Sequence, residues 1–283
     1  MPSPVPVIHS HGAVIPKIGF GTSRIGDLTS VDDYTEVVAQ ALKIGYRHID
    51  TAWKYHTEKA VGEAIRISGI PRDDIFLVTK VSHEYLRAGD FARMVDESLN
   101  NLKLDYVDLL MVHWPSPEKI PLGETMSALA KARRDGKTRH IGVANFNIAL
   151  LEEAIRLCPE PISSLQVEYH PYLDQSKLLA AVRRLNLPMT AYCPLGRGLL
   201  IDDPTVAEIA RAKGKTVAQV VLRWHLQQPN VVPIPRSSNA ARQAENFNIF
   251  DFTLSDDEMR RLHALARADG RIANPAGRAP DWD

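Results

Sequence analysis

Apolar and polar positions change period repeatedly along this chain. Short solid apolar runs alternate with stretches in which apolar residues recur every three or four positions. The first pattern reads as a strand buried on both faces, the second as an amphipathic helix. Val37, Val38, Ala41 and Leu42 make one helical face, and Ser30 with Asp33 sets a capping-box pattern in front of it. Strands are predicted over 47–50, 75–79, 106–112, 138–143, 165–168, 189–192 and 231–234, with Ile18-Gly19-Phe20 as a candidate first strand. Helices are predicted between them over 58–67, 91–101, 122–134, 150–157, 176–185 and 217–227, and Gly136 follows the 122–134 helix as a stop signal.

Strand and helix in alternation imply a parallel sheet. Eight repeats without a break in composition favour a closed (β/α)8 TIM barrel, an α/β fold, over an open sheet. Such a barrel takes about 250 residues, so one domain over 1–283 is expected. Two segments fall outside the repeat. Residues 9–13 are expected to form an N-terminal hairpin that plugs the bottom of the barrel. Residues 270–283, rich in Gly, Pro and Arg and without a period, are expected to be a C-terminal loop.

Composition narrows the function classes. Thirty-four basic residues face 34 acidic ones, so no global field draws the chain to nucleic acid or to an anionic membrane. No apolar run approaches the ~20 residues of a membrane span. Residues 1–6 have no basic region followed by an apolar stretch, so no secretory signal is expected there. Cys158 and Cys193 lack metal-ligand spacing and read as free thiols of a reducing compartment. The expectation is a cytoplasmic monomer that acts on a small molecule, without a metal.

The candidate chemistry lies at strand ends. Asp50, Lys80 and His113 each close or follow a predicted strand, and Tyr55 lies just past the first of these. Singly, each has a plainer reading: a cap or ion-pair partner for Asp50, packing for Tyr55, a satisfied core histidine for His113. Gathered at one end of one sheet, the four suit proton delivery to a carbonyl oxygen, on which charge builds as hydride arrives at carbon. A phenol titrates near 10. An ammonium ~4 Å away interacts with it by ~4 kcal/mol at an effective dielectric of about 20. Lys80 is therefore expected to lower Tyr55, Asp50 to hold Lys80 charged and aimed, and neutral His113 to orient the substrate oxygen.

Farther along, Arg236 and Arg242 flank Ser237 and Ser238 at the start of a predicted helix, an arrangement that suits a phosphate. A solvated, capped helix start is the plainer alternative. No Gly-x-Gly-x-x-Gly follows a strand, so a Rossmann site is not expected.

The same residues carry a family resemblance that covers nearly the whole chain. Gly19-Phe20-Gly21-Thr22, Gly45-Tyr46-Arg47-His48-Ile49-Asp50-Thr51-Ala52, His113-Trp114-Pro115, Gly142-Val143-Ala144-Asn145-Phe146 and Gln166-Val167-Glu168-Tyr169-His170-Pro171-Tyr172 resemble the aldo-keto reductases, most of all the bacterial 2,5-diketo-D-gluconate reductases of B type. The resemblance implies a (β/α)8 barrel, a tetrad at Asp50, Tyr55, Lys80 and His113, and NADPH as cofactor. It implies nicotinamide contacts at Asn145 and Gln166, stacking on Tyr192, and a cofactor-side loop at Gly21 and Thr22. Arg236, Ser237 and Arg242 match the adenosine-phosphate site, and Glu245 and Asn246 match positions beside the adenine.

The chain departs from the family pattern in places. Ala144 and Cys193 stand where Ser is common, Arg236 where Lys is common, and Ser23 where many members have an active-site Trp. Trp53 and Trp114 are expected to supply the missing apolar wall. The expected reaction is NADPH-dependent reduction of small aldehydes and α-dicarbonyls of the methylglyoxal kind, with 2,5-diketo-D-gluconate as a further candidate. The alternative is a cofactor-binding, redox-sensing regulatory subunit with slow or no turnover.

Overall fold

The computed structural model describes residues 5–116 and 120–283. Most of the N-terminal stretch read above as lacking leader features, residues 1–4, lies outside the described residues. Two short strands open the chain, β1 (Val7–Ser10) and β2 (Ala13–Pro16), paired antiparallel. The predicted hairpin turn sits between them, and His11 and Gly12 both have positive φ (46° and 87°), as a two-residue turn of the I′ kind requires.

Eight parallel strands follow: β3 (Phe20–Gly21), β4 (His48–Asp50), β5 (Phe76–Val81), β6 (Val107–Val112), β7 (Thr138–Ala144), β8 (Ile162–Glu168), β9 (Met189–Tyr192) and β10 (Val231–Pro233). They neighbour one another in chain order. The Gly19 and Gly21 N–H groups donate to the Pro233 and Pro235 carbonyls at 3.0 Å each and join the last strand to the first. Pro233 and Pro235 have no N–H, so neither returns a bond across this seam.

Between the strands run α1 (Val31–Ile44), α2 (Glu58–Ser68), α3 (Ala88–Leu102), α4 (Leu122–Arg134), α5 (Ile148–Leu157), α6 (Ser176–Arg184), α7 (Pro204–Lys213) and α8 (Val217–Gln227). Two more helices, α9 (Ala240–Phe247) and α10 (Asp256–His263), follow β10. The barrel expectation thus holds, with helix bounds within three residues of those predicted. In α1 the Ser30 hydroxyl accepts the Asp33 N–H, the first half of the expected capping box. Two helices were missed. In α7 only Val206, Ile209 and Ala210 are buried, and in α10 only Leu262, so neither shows an extended apolar period. Strand β8 begins three residues earlier than predicted because Ser163 and Ser164, though polar, are buried within it. No helix among the described residues is long and apolar enough to cross a membrane.

Two apolar cores result. One lies between sheet and helices. The other fills the barrel axis with Phe76 and Val78 of β5, Leu109 and Met111 of β6 and Val232 of β10. Ala13 and Ile15 of the hairpin close it from below, as expected of a plug. The opposite end, where the strands terminate, is left open for polar groups.

Helices α2 and α3 approach so closely that a Cβ on Gly62 would stand 2.0 Å from the Leu102 carbonyl oxygen. Helix propensity alone would make Gly62→Ala stabilising by ~1 kcal/mol. We expect the clash to win and stability to fall by roughly 2 kcal/mol, as overpacking typically does. Urea unfolding decides between the signs, and a midpoint equal to or above that of the wild type would show that the helices can separate at little cost.

Candidate active site

The open end of the barrel gathers polar side chains from six consecutive strands. Asp50 closes β4, Lys80 stands one residue from the end of β5, and His113 follows β6. Asn145 follows β7, Gln166 lies near the end of β8, and Tyr192 closes β9. Catalytic groups of such barrels sit at this face, where strands end and loops begin. Tyr55 arrives on a single 3-10 turn, Trp53–Tyr55, just after β4.

Lys80 is fully buried, and its ammonium donates to Asp50 Oδ1 at 2.6 Å and to the Thr51 carbonyl at 2.8 Å. The second carboxylate oxygen of Asp50 accepts from Gln166 Nε2 at 2.7 Å. Tyr55 Oη lies 3.3 Å from His113 Nε2, with the two rings edge to face at 5.4 Å. Asn145 Nδ2 donates to the His113 carbonyl at 2.9 Å, and Tyr192 Oη donates to Asn145 Oδ1 at 2.7 Å. Asn145 and Cys193 adopt left-handed backbone at φ 62° and 49°, uncommon outside glycine and frequent at functional sites.

Burial sets the charge states. It pushes His113 well below the usual imidazole value, and the nearby Lys80, Arg278 and Lys54 cations push the same way, so the ring is neutral. Tyr55 moves well above its usual value, first through burial and then through the Asp50 carboxylate. The expected lowering of Tyr55 by Lys80 is therefore not found. The Asp50 carboxylate, 2.6 Å from the ammonium, offsets its field, and the ammonium sits 5.2 Å from the Tyr55 ring centroid. Lys80 itself is lowered by burial, with Asp50 acting in the opposite sense.

A cavity of about 830 Å³ opens above these groups. Asp50, Tyr55, His113, Asn145, Gln166, Tyr192, Gly21 and Trp114 line it, together with Arg236. A second cavity of about 410 Å³ is lined by Ser237, Arg242, Glu245 and Asn246, and it shares Leu195, Gly198 and Arg236 with the first. The predicted helix at this end is α9. Asn239 caps it, its side chain taking the Arg242 N–H at 3.0 Å. Arg236 and Arg242 are exposed, and Arg236 donates to the Arg24 carbonyl. Glu245 accepts from the Thr216 hydroxyl at 2.8 Å.

Three expected residues lie elsewhere. Thr22 is fully buried and lines neither cavity. Its hydroxyl is 3.0 Å from both the Asp50 carbonyl and the Thr57 hydroxyl, bracing the strand end from inside. Trp53 is not part of the cavity wall either, because its indole N–H donates to Glu97 of α3 at 2.8 Å and its ring meets Tyr85 edge-on. Lys80 lies below the cavity floor rather than on it.

The sequence reading missed the C-terminal contribution. Ile272, Ala273, Asn274, Pro275 and Arg278 line the first cavity. Glu168 at the end of β8, fully buried, accepts the Ile272 and Ala273 N–H groups at 2.7 Å each and is paired with His170 at 2.9 Å. Asp283 Oδ2 accepts the Ile148 N–H at 3.0 Å, fixing the far end. The tail is a loop, as expected, but a tethered one.

Comparison with known proteins bears on this site. The profile of the Aldo/keto reductase family matches residues 17–267. The chain is 38% identical to the methylglyoxal reductase DkgB of Escherichia coli O157:H7 over 271 residues, 95% of this chain and 99% of that one. The crystal structure of a candidate 2,5-diketo-D-gluconic acid reductase B superposes with a TM-score of 0.95 at 48% identity, covering 99% of this chain and 98% of the other. A Bombyx mori aldo-keto reductase in complex with NADP superposes with a TM-score of 0.87 at 32% identity, covering 93% of each chain.

The neutral state of His113 is directly measurable. A ring whose value is lowered by folding binds fewer protons than its unfolded counterpart below pH ~6.5, so it withdraws stability as the pH falls. We expect the His113 ring resonances to show no titration between pH 8 and pH 5.5. A midpoint near 6.5 would mean that water reaches the ring freely.

Proposed function

Because the chain belongs to the aldo/keto reductase family, we propose that it reduces small aldehydes and α-dicarbonyls to alcohols with NADPH, Tyr55 donating the proton. The observation that carries this reading is the pair of uncharged hydrogen-bonding groups, Tyr55 Oη and His113 Nε2, 3.3 Å apart at the cavity wall. A carbonyl oxygen placed between them accepts from both. Methylglyoxal and 2,5-diketo-D-gluconate, which name the relatives above, both present such an oxygen.

The adjoining cavities favour an elongated cofactor with anionic groups at one end. Tyr192 would support the nicotinamide ring, and Asn145 and Gln166 would hold its carboxamide with the polar capacity left over by their bonds to His113, Tyr192 and Asp50. Arg236, Ser237 and Arg242 would hold the phosphate on the adenosine ribose, with Glu245 and Asn246 beside the adenine. NADPH, when bound, supplies the hydride. His113 orients the carbonyl, and Tyr55 gives its proton to the oxygen as negative charge develops there. Burial raises the phenol and lowers the imidazole, so each is uncharged and able to share a proton when substrate arrives. Lys80, 5.2 Å from the phenol ring, stabilises the phenolate that proton transfer leaves, and Asp50 with the Thr51 carbonyl holds Lys80 in place. Solvent reaching Tyr55 through the cavity restores the proton.

Tyr55→Phe removes only the donor. We expect at least ~100-fold loss of carbonyl reduction, the usual cost of a missing general acid, with NADPH affinity within about twofold of the wild type on the basis of the same separation of roles. Steady-state assay and fluorescence titration of one sample read both. Retention of more than about a tenth of the rate would move the donor role off Tyr55.

Cofactor preference follows from Arg236 and Arg242. Charge-assisted bonds to a phosphate are worth ~1.5–3 kcal/mol each, so NADPH should outbind NADH by roughly 10- to 1000-fold. Arg236→Ala should erase most of that gap by weakening NADPH alone, and added salt should narrow it in the wild type because both guanidinium groups are exposed. Equal weakening of both cofactors would assign Arg236 to loop structure, through its bond to the Arg24 carbonyl.

A further inference from the structure

The first cavity is lined by five cationic side chains, Arg24, Lys54, Arg197, Arg236 and Arg278, and by one carboxylate, Asp50, which Lys80 and Gln166 already occupy. The five cations do not share one task. Arg236 also lines the second cavity and lies at the cofactor end under the reading above. Lys54 is committed to Glu84 through two contacts of 3.0 and 2.8 Å.

Arg278 is different. Its guanidinium stands over the Trp114 ring, 5.5 Å from the centroid, on the side of the cavity where Trp114 and His113 form the wall. Its Nε is buried and has no hydrogen-bond partner among the described residues. The backbone that carries it is held in place. Glu168 takes two tail N–H groups at Ile272 and Ala273, the Pro275 carbonyl accepts the Ala279 N–H at 3.2 Å, and Asn147 Nδ2 donates to the Asp281 carbonyl at 2.7 Å. A planar cation on a tethered backbone, lining the same cavity as Tyr55 and His113, matches a planar singly charged anion.

We propose that Arg278 is a specificity-determining residue that selects carbonyl substrates carrying a carboxylate, which it grips while the carbonyl lies between Tyr55 and His113. This rests on the reductase reading of the same cavity. Lys54, held by Glu84, and Arg24 and Arg197 add to the local field, and Arg278, the cation over the Trp114 side of the wall, is the group that contacts the carboxylate. Neutral dicarbonyls such as methylglyoxal fit the same cavity and forgo that contact.

The test uses two substrates that differ by one negative charge and one methyl group, 4-oxobutanoate and its methyl ester, assayed with NADPH on the full-length protein. Wild type should favour the acid in kcat/KM by roughly 10- to 100-fold, mainly through KM, the range of one or two charge-assisted bonds at a partly exposed site. Arg278→Met, which keeps length and packing on Trp114, should bring the ratio close to one. Arg278→Lys, which keeps the charge but loses the fork, should retain part of it. A ratio that survives Arg278→Met, or a wild type that prefers the ester, overturns the proposal. If wild type oxidises NADPH with neither compound, it is the reductase reading that fails. Calorimetric titration of the same pair onto the protein with NADPH then decides the present one: tighter binding of the acid that Arg278→Met abolishes supports it, and equal binding of acid and ester overturns it.

Discussion

A buried ammonium organises this site. Lys80 has no exposed surface, so its charge must be met by protein. Asp50 meets it at 2.6 Å and the Thr51 carbonyl at 2.8 Å, and the free oxygen of Asp50 then takes the Gln166 amide. Three strands that are far apart in sequence, β4, β5 and β8, are thereby tied across the barrel mouth. Loss of one member would leave a buried charge unmatched, the costliest kind of polar defect. Thr22 braces the same point through the Asp50 carbonyl, and this explains why a residue that looks like part of a cofactor loop is wholly buried.

Above that pair the environment reverses. The groups facing the cavity, Tyr55 and His113, are held uncharged by burial, whereas fixed charge is displaced to the rim at Lys54, Arg236 and Arg278. In the proposed reaction a proton donor and an orienting imidazole gain from being neutral, since each can share a proton without first giving one to water. Rim cations gain from being charged, because they act on anionic parts of ligands away from the reacting bond. The barrel provides both by depth alone. Side chains from strand ends lie deep, and those from loops and the tail lie shallow.

Much of this was legible in the sequence. Polar residues that end solid apolar runs have few places to go but the mouth of a parallel barrel, so Asp50, Lys80 and His113 could be placed together from pattern, and the matching motifs added Asn145, Gln166 and Tyr192. Direction was less legible than position. Trp53 lies two residues from Tyr55, yet on a 3-10 turn its indole swings to Glu97 rather than to the cavity. The direction in which Tyr55 is shifted was misjudged because a single pair, Lys80 and Tyr55, was weighed without the burial of both and without the cancelling carboxylate. Helices α7 and α10 carried usable cap signals, Asp203-Pro204 and Ser255 with Glu258, but too few buried residues to show a period. The tail was the least legible part. Its clamp joins Glu168 to residues more than a hundred positions away, and no local pattern encodes that.

The central claim is that one carbonyl oxygen sits between two neutral donors above a buried ion pair. A crystal structure of the protein with NADPH and an unreactive carbonyl analogue tests it most directly. The account predicts that oxygen within roughly 2.6–3.2 Å of both Tyr55 Oη and His113 Nε2, with the nicotinamide ring against Tyr192 and the Lys80–Asp50 pair unchanged beneath. An oxygen that contacts neither group, or a Lys80 that leaves Asp50 for the ligand, would contradict it.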